Sequence, residues 1–291
     1  MLILSERFLQ LASVSLWASL AVYVARFKAG TPRLAYFGGL LAKAGWVALS
    51  VSLLVRSLVQ GHLPITTFFE SLTTLVWVAL TIYLYLDWKW RWPVLSAFFL
   101  LLASGGLAYA LFLPQEVRAL PPVLQVVPPV IRALPPKLQS GWLLLHVTFN
   151  FFSYGAFTLS FLIGIQYLWQ DYQLKHKKFT IWYDRLPSLD RLDFLNARMI
   201  NWGFPLLTLG IITGSIWARY AWGTYWDWNA KESWSLFTWL IFAFALYFRD
   251  IRKWRGRKAV LFTVIGFLAV LFNYFGINFL FRHPHFFIRG S

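Results

Sequence analysis

The 291-residue chain contains no cysteine. This absence excludes disulfide bonds, thiolate metal sites, iron–sulfur clusters and a cysteine nucleophile within the chain. Acidic residues are also scarce, with 11 Asp and Glu against 27 Lys and Arg, and charged residues make up only 13% of the sequence. Because the chain has no cysteine, any chemistry on thiols must use thiols that another molecule supplies.

Charge is scarce because apolar residues are abundant: 59% of the chain is hydrophobic, and the mean hydropathy is +0.58. A soluble domain of this length cannot bury so much apolar surface in one core. Stretches of about 20 mostly apolar residues, enough to cross a bilayer, recur along the whole sequence. We therefore predict an all-α polytopic membrane protein that forms a single membrane domain over residues 1–291. The eight predicted spans are 7–27, 36–58, 66–86, 93–113, 142–168, 200–218, 233–248 and 259–281.

The formal charge of +16 would suit a nucleic-acid-binding protein, but the basic residues lie between the apolar spans. With the N-terminus outside, most Lys and Arg fall in the inner segments. These segments are 28–35, 87–92, 169–199 and 249–258. The positive-inside rule then accounts for the charge, places both termini on the outer side, and removes the reason to expect nucleic acid.

Two connecting segments are long. The outer segment 114–141 is rich in proline, and Arg118-Ala-Leu-Pro-Pro recurs in it as Arg132-Ala-Leu-Pro-Pro. Paired prolines oppose a regular helix, so this segment forms either two short surface pieces or a simple spacer. The inner segment 169–199 is basic, and we expect it to begin as an extension of the fifth span and to face lipid headgroups.

The outer segment 217–234 contains five tryptophans in 18 residues. An interfacial belt and helix caps explain part of this pattern, since Asn229 or Ser233 could cap the seventh span with Glu232 in its first turn. A belt does not require tryptophans crowded into one short loop beside Gly223. A wall of indoles suits a large, flat π ligand that is shielded from water.

The histidines suggest what that ligand is. The five are His62, His146, His176, His283 and His285, and only His176 falls on the inner side of the predicted topology. His146 lies one turn into the fifth span, where a histidine often marks function, although a hydrogen-bonded structural histidine is the ordinary alternative. Two neutral imidazoles on opposite faces of a flat ring can hold haem iron. We predict His146 and His285 as this pair, with His283 as a rival for His285 and His62 as a weaker one.

Four cations share the outer side with these histidines, namely Arg219, Lys231, Arg282 and Arg289. Each could pair with a haem propionate or with a lipid phosphate. The sequence does not choose among them.

The stretch Trp222-Gly-Thr-Tyr-Trp-Asp-Trp-Asn-Ala-Lys-Glu-Ser-Trp234 resembles the tryptophan-rich "WWD" signature of haem-handling proteins. Its form is most similar to the CcsA (ResC) family of system II cytochrome c assembly. Three further stretches match that family's pattern in the same order. They are Gly61–Leu72, Leu138–His146 and Phe272–Phe279.

The resemblance implies that haem b moves to an outer site under the tryptophan-rich loop, with His146 and His285 as axial ligands of its iron. It also implies a CcsB (ResB) type membrane partner and an apocytochrome c, whose Cys-x-x-Cys-His thiols attack the haem vinyl groups. The chain would then be a component of a cytochrome c synthase, or haem lyase, complex in the bacterial plasma membrane, with the thylakoid membrane as the alternative. The implied haem-binding residues of the loop are Trp222, Gly223, Tyr225, Trp226, Trp228, Asn229, Lys231, Glu232 and Trp234.

Two departures from the family pattern matter. Asn229 and Ala230 stand where the signature has Asp and Pro, so a negative charge at that point is not essential here. The span after the loop reads Leu246-Tyr-Phe-Arg249 where the family has a histidine. A second, intramembrane haem site is therefore not expected, and Tyr247 is a better candidate for packing than for ligation. Glu70, near the outer end of the third span, either orients a ligand or backbone group or is a structural buried acid.

Other functions fit less well. A haem-containing membrane oxidoreductase would carry histidine pairs within its helices to make an electron path, whereas these histidines suit one outer site. A different transporter would show a paired repeat with broken helices, which the sequence lacks. A scaffold that only recruits a partner would not need His146 or His285.

Overall fold

A computed structural model describes residues 1–90, 92–113, 138–177 and 186–277. These residues form eight α-helices and no strand, which confirms the all-α prediction. Each of the first seven predicted spans falls on one helix, and the eighth, 259–281, begins on the last helix and runs past the described residues. A π-helical turn, Phe272–Gly276, follows the last helix. The helices are α1 (Leu2–Ala29), α2 (Pro32–Gln60), α3 (Phe68–Trp90), α4 (Pro93–Phe112), α5 (Gly141–Lys175), α6 (Leu189–Trp222), α7 (Ala230–Asp250) and α8 (Arg257–Leu271).

Seven of these helices are long and apolar enough to cross a membrane, and the chain is a multi-pass membrane protein. Helix α7 is the one that falls short. Lys231 and Glu232 occupy its first turn, and Arg249 and Asp250 end it, so its apolar part is short. The placement of both termini on the outer side stays a prediction.

The chain divides into two compact units, Met1–Gln139 and Ser140–Ser291. Within the first unit, α1 and α2 approach closely through small residues. Ser5 Oγ donates to the Ser52 carbonyl at 3.0 Å, and Ser52 Oγ donates back to the Ser5 carbonyl at 2.7 Å. A Cβ on Gly45 would lie 2.8 Å from the Leu16 side chain. Small residues and interhelical hydrogen bonds are the usual means of holding helices together in lipid.

A buried ion pair lies between the end of α2 and the start of α3. Glu70 Oε1 accepts from Arg56 Nε at 3.0 Å and from Gln60 Nε2 at 2.6 Å. Glu70 Oε2 accepts from the Thr67 backbone N–H, while Thr67 Oγ1 accepts from the Glu70 N–H. This reciprocal arrangement is a capping box, so Glu70 orients backbone and fixes where α3 begins.

In the second unit, α5 and α6 run antiparallel. Ser160 pairs with Asn196, Ser153 Oγ donates to the Gly203 carbonyl at 2.8 Å, and His146 meets Gly210. As numbers rise along α5, their partners on α6 fall. The beginning of α5 therefore lies beside the end of α6, where the tryptophan-rich loop starts.

An aromatic core joins α5, α6, α7 and α8. The rings of Phe157 and Phe242 stack with centroids 3.6 Å apart, and Gly203 leaves room for Phe157. Where α7 ends and α6 begins, Arg249 Nη2 pairs with Asp193 Oδ1 at 2.5 Å. Both interactions tie α7 into the unit, although its charged ends leave its apolar part short.

The two long connecting segments are described only in part. Helix α5 continues to Lys175, as the sequence predicted for the start of segment 169–199, but residues 178–185 lie outside the described residues. Most of the proline-rich segment, residues 114–137, also lies outside them.

Candidate functional site

His146 is held by the backbone of the neighbouring helix. Its Nδ1 lies 2.7 Å from the carbonyl oxygen of Gly210, and the ring is half-buried. The other ring nitrogen, Nε2, has no hydrogen-bond partner within the described part of the chain. One nitrogen is thus anchored while the other remains available to a ligand.

Two α6 glycines make this approach possible. A Cβ on Gly214 would lie 2.5 Å from His146 Cε1 and closer still to Nδ1, and a Cβ on Gly210 would lie 2.8 Å from the Asn150 amide. One turn beyond Gly214, Trp217 stacks on His146 with ring centroids 6.2 Å apart and planes 22° apart. Trp222 then packs edge-on against Trp217 at 4.7 Å, so a line of rings leads from the histidine to the loop.

Asn150 lies one turn below His146 on α5. Its Nδ2 donates to the His146 backbone carbonyl at 2.7 Å and also lies 3.2 Å from His146 Nδ1. The amide therefore borders the anchored side of the imidazole.

The loop begins at Gly223, where α6 ends in a left-handed backbone conformation with φ +88°. Glycine adopts this conformation without the strain that a Cβ would bring. The Gly223 N–H donates to the Arg219 carbonyl, while Arg219 Nη1 donates to the Gly223 carbonyl. Arg219 also lies over the ring of Tyr225, at 5.9 Å from its centroid, so this cation secures the start of the loop.

Hydrogen bonds within the loop close it on itself. Thr224 Oγ1 donates to Asp227 Oδ1 at 2.5 Å, and the Asp227 N–H donates to Glu232 Oε2 at 2.7 Å. Asn229 Oδ1 accepts from the Glu232 N–H at 3.0 Å and caps α7. The structure thus selects Asn229 over Ser233 as the cap, and it places Glu232 in the first turn as predicted.

Several aromatic side chains of the loop are exposed. Trp228 adopts a left-handed conformation, φ +54°, and its side chain is 69% exposed. Tyr225 and Trp222 are also exposed. Trp226 packs edge-on against Trp228 at 5.8 Å, and its buried Nε1–H has no partner among the residues described. The exposed aromatic faces suit a flat ligand.

The remaining predicted residues fall in different places. Trp234 packs on Phe272 of the π-helical turn, and Lys231 is exposed in the first turn of α7. His62 belongs to the first unit, where its Nδ1 lies 2.9 Å from the Leu63 carbonyl.

Four predicted residues near the C-terminal end lie outside the described residues, namely Arg282, His283, His285 and Arg289. Tyr247 is exposed and packs against Phe248.

The sequence prediction counted Trp217 in the tryptophan-rich segment but omitted Asn150, Gly210 and Gly214 from the site. Two signals were present: Asn150 follows His146 by four residues, and the two glycines have the Gly-x-x-x-Gly spacing that brings helices together. In the part of the chain that is described, no three His, Cys, Asp or Glu side chains are grouped to hold a bare metal ion. The available ligand is a single imidazole beside aromatic surface.

The fold and the site together define a multi-pass membrane protein in which a histidine adjoins aromatic rings that lead to a tryptophan-rich loop. The family model described as "Cytochrome C assembly protein" matches residues 65–285. The chain belongs to this family, as a CcsA-type member.

Named relatives agree with this assignment. The cytochrome c biogenesis protein CcsA of Chlamydomonas reinhardtii is 38% identical over 235 residues, which cover 79% of this chain and 62% of that protein. The CcsA proteins of Guillardia theta and Synechococcus sp. (strain CC9902) are 32% and 33% identical, covering 82% and 83% of this chain and 81% and 83% of their own lengths. The chain therefore spans less than two thirds of the algal protein from Chlamydomonas.

A solved structure shares the fold. The protein titled "Cytochrome c Heme Lyase CcmF" superposes with a TM-score of 0.61 at 16% identity. The match covers 94% of this chain and 46% of that one. At this identity the likeness concerns the fold alone.

Proposed function

We propose that this chain acts in cytochrome c biogenesis by binding haem b at the tryptophan-rich loop and presenting it on the outer face for attachment to apocytochrome c. The observation that carries the proposal is the position of His146. Its Nε2 is available, and its ring adjoins the aromatic line that runs through Trp217 to Trp222.

The residues present fit the chemistry of haem. The iron of haem accepts a neutral imidazole as an axial ligand. The porphyrin plane favours aromatic faces such as the exposed indoles of Trp222 and Trp228. Its propionates favour cations, and Lys231 lies in the first turn of α7, directly after the tryptophan-rich loop. His285 is the proposed second axial ligand, from the opposite face.

The attachment reaction requires little of the chain itself. Each apocytochrome thiol adds across a haem vinyl group, so that a carbon–sulfur bond forms and the thiol hydrogen ends on the neighbouring carbon. The chain has no cysteine, and the thiols come from the Cys-x-x-Cys-His segment of the apocytochrome. Its contribution is to hold the vinyl groups next to those thiols, which is proximity catalysis without a dedicated acid or base.

The chain would perform this work with a CcsB (ResB) type membrane protein, as one component of a cytochrome c synthase complex. Haem would reach the outer site from the inner side of the membrane. We place the complex in the bacterial plasma membrane, with the thylakoid membrane as the alternative. The CcsA-type relatives from algae and cyanobacteria support both settings.

The test is the absorption spectrum of the full chain, purified in detergent after co-expression with its partner, in oxidised and reduced forms. Wild type should show low-spin haem with two nitrogen ligands. His146→Ala and His285→Ala should each weaken that spectrum, and added imidazole should restore it. His176→Ala is the matched control, because this histidine caps the other end of α5 and should not affect the spectrum.

A wild-type protein without haem, under haem-replete conditions and with its partner present, would contradict the proposal. The competing function is a haem-containing oxidoreductase. Adding a reduced peptide with a Cys-x-x-Cys-His segment distinguishes the two. An assembly protein transfers its haem to the peptide, whereas an oxidoreductase retains it.

A further inference from the structure

We propose that Gly210, Gly214 and Asn150 are positioning residues that fix one tautomer and one orientation of His146, so that Nε2 is its iron-binding atom. This inference rests on the proposed function for its haem arm. The tautomer itself is a property of the protein without haem.

The tautomer follows from the hydrogen-bond partners. The Gly210 carbonyl can only accept, so at 2.7 Å His146 Nδ1 must carry the hydrogen and donate it. The Asn150 Nδ2, 3.2 Å from the same atom, is also a donor and cannot use an Nδ1 that is protonated. It donates instead to the His146 backbone carbonyl at 2.7 Å. In the neutral imidazole, the lone pair is left on Nε2.

The orientation follows from the space around the ring. The imidazole reaches the α6 backbone only because residues 210 and 214 lack a Cβ, and a methyl group at 214 would overlap the ring. A Cβ at 210 would push on the Asn150 amide, which lies against the anchored side of the ring. The two glycines, one helical turn apart, thus act on the imidazole directly and through Asn150.

Such an arrangement has a chemical consequence for a ligand. A histidine that donates its second ring N–H to a backbone carbonyl is fixed in tautomer and orientation and becomes a more basic ligand. Loss of such a partner commonly weakens metal affinity by about 10–100-fold. The partner here is a backbone carbonyl that no side-chain replacement deletes, so the test is to displace the ring from it with a Cβ at residue 214.

The first experiment uses haem-free, full-length protein with ¹⁵N-labelled histidine in lipid bilayers, observed by solid-state NMR. The signals of His146 are those that His146→Gln removes. Wild type should show a protonated Nδ1 and an unprotonated Nε2, and Gly214→Ala should convert this to a mixture of tautomers. The matched control is Gly203→Ala, which places a Cβ 2.6 Å from Phe157 on the same pair of helices but away from the histidine.

A protonated Nε2 in wild type would overturn the inference. So would a Gly214→Ala spectrum equal to wild type, or a Gly203→Ala spectrum that changes as much as that of Gly214→Ala. A change in Gly214→Ala alone cannot come from general destabilisation, since both alanines clash with an α5 side chain.

The second experiment measures haem. Gly214→Ala should bind haem about 10–100-fold more weakly than wild type, and imidazole should restore the low-spin spectrum. Asn150→Asp places a carboxylate beside the Nδ1 hydrogen, makes the ligand more basic and should shift the haem midpoint potential to a more negative value. Normal affinity in Gly214→Ala together with an unchanged potential in Asn150→Asp would refute the positioning role. Absence of haem from wild type would instead refute the proposed function, whatever the tautomer.

Discussion

Arg56 and Glu70 form an ion pair that is closed to solvent, with side chains only 5% and 0% exposed and 3.0 Å between Arg56 Nε and Glu70 Oε1. The same carboxylate completes the capping box with Thr67. One side chain therefore joins the end of α2 to the start of α3 and fixes the short loop that carries His62.

Replacing Glu70 with alanine should destabilise the first unit by about 3–5 kcal/mol, because the buried Arg56 charge loses the carboxylate that balances it. The measurement is the unfolding free energy in detergent. Asp171→Ala is the control, since it breaks the Lys175–Asp171 pair, in which the lysine is 54% exposed, and should cost less than about 1 kcal/mol. Equal losses in the two variants would show that burial of the Arg56–Glu70 pair has no special weight.

Replacing Trp228 should weaken ligand binding while leaving the stability of the protein nearly unchanged. The left-handed backbone at Trp228 costs an L-residue roughly 1–2 kcal/mol, and glycine avoids this strain. Glycine in turn costs about 0.5–1 kcal/mol, because it has more conformational freedom in the unfolded chain. Trp228→Gly should thus change the unfolding free energy by less than about 1 kcal/mol and yet retain less haem after gel filtration. Trp88→Ala, which removes an indole that is 72% exposed on α3, should retain wild-type haem. Equal haem retention in both variants would exclude the Trp228 indole from the binding surface.

Asn229 should tolerate the aspartate that the WWD signature carries. An aspartate can accept the Glu232 N–H as Asn229 does and is favoured at a helix N-terminus, so Asn229→Asp should match wild type in melting temperature and haem content. Asn229→Ala removes the cap and should cost about 0.5–2 kcal/mol. A loss of haem in Asn229→Asp, with normal melting, would mean that the uncharged amide has a direct role in binding.

Leucine in place of either of two buried amide side chains should have opposite effects on stability. Gln166 and Asn196 are both 0% exposed, but both amide atoms of Gln166 lack a partner among the described residues. The Asn196 amide donates to the Ser160 carbonyl and accepts from Thr263. Gln166→Leu should therefore raise the melting temperature or leave it unchanged, whereas Asn196→Leu should lose about 1–3 kcal/mol by stranding its partners. A lower melting temperature for Gln166→Leu would show that its amide has a partner that the described residues do not include.

Much of the fold could be predicted because apolar runs and cap residues are local features. The eight helices follow from the order of residue types, which also narrows the cap of α7 to Asn229 or Ser233. The sequence did not predict that α7 falls short of a membrane span. Its apolar run looked long enough to cross a bilayer, but the charged residues at both ends of the helix shorten it.

The candidate site could be predicted only in outline. That His146 lies at the loop end of its unit follows from helix length and connection. Which glycine of α6 meets this histidine depends on the register and rotation of α5 against α6. The sequence does not give that register, so it could not predict Gly214 rather than Gly203. The part played by His285 remains a prediction, because this residue lies outside the described residues.

The self-closed loop between α6 and α7 also determines what binding costs. Its backbone is already fixed by the bonds from Thr224 to Asp227 and from Asp227 to Glu232. A cargo that arrives does not have to order the loop, and a cargo that leaves does not have to melt it, so little conformational entropy is exchanged in either direction. For the haem carriage proposed above, binding and release would therefore each require little change in the order of the loop, whereas a permanent cofactor site has no such requirement.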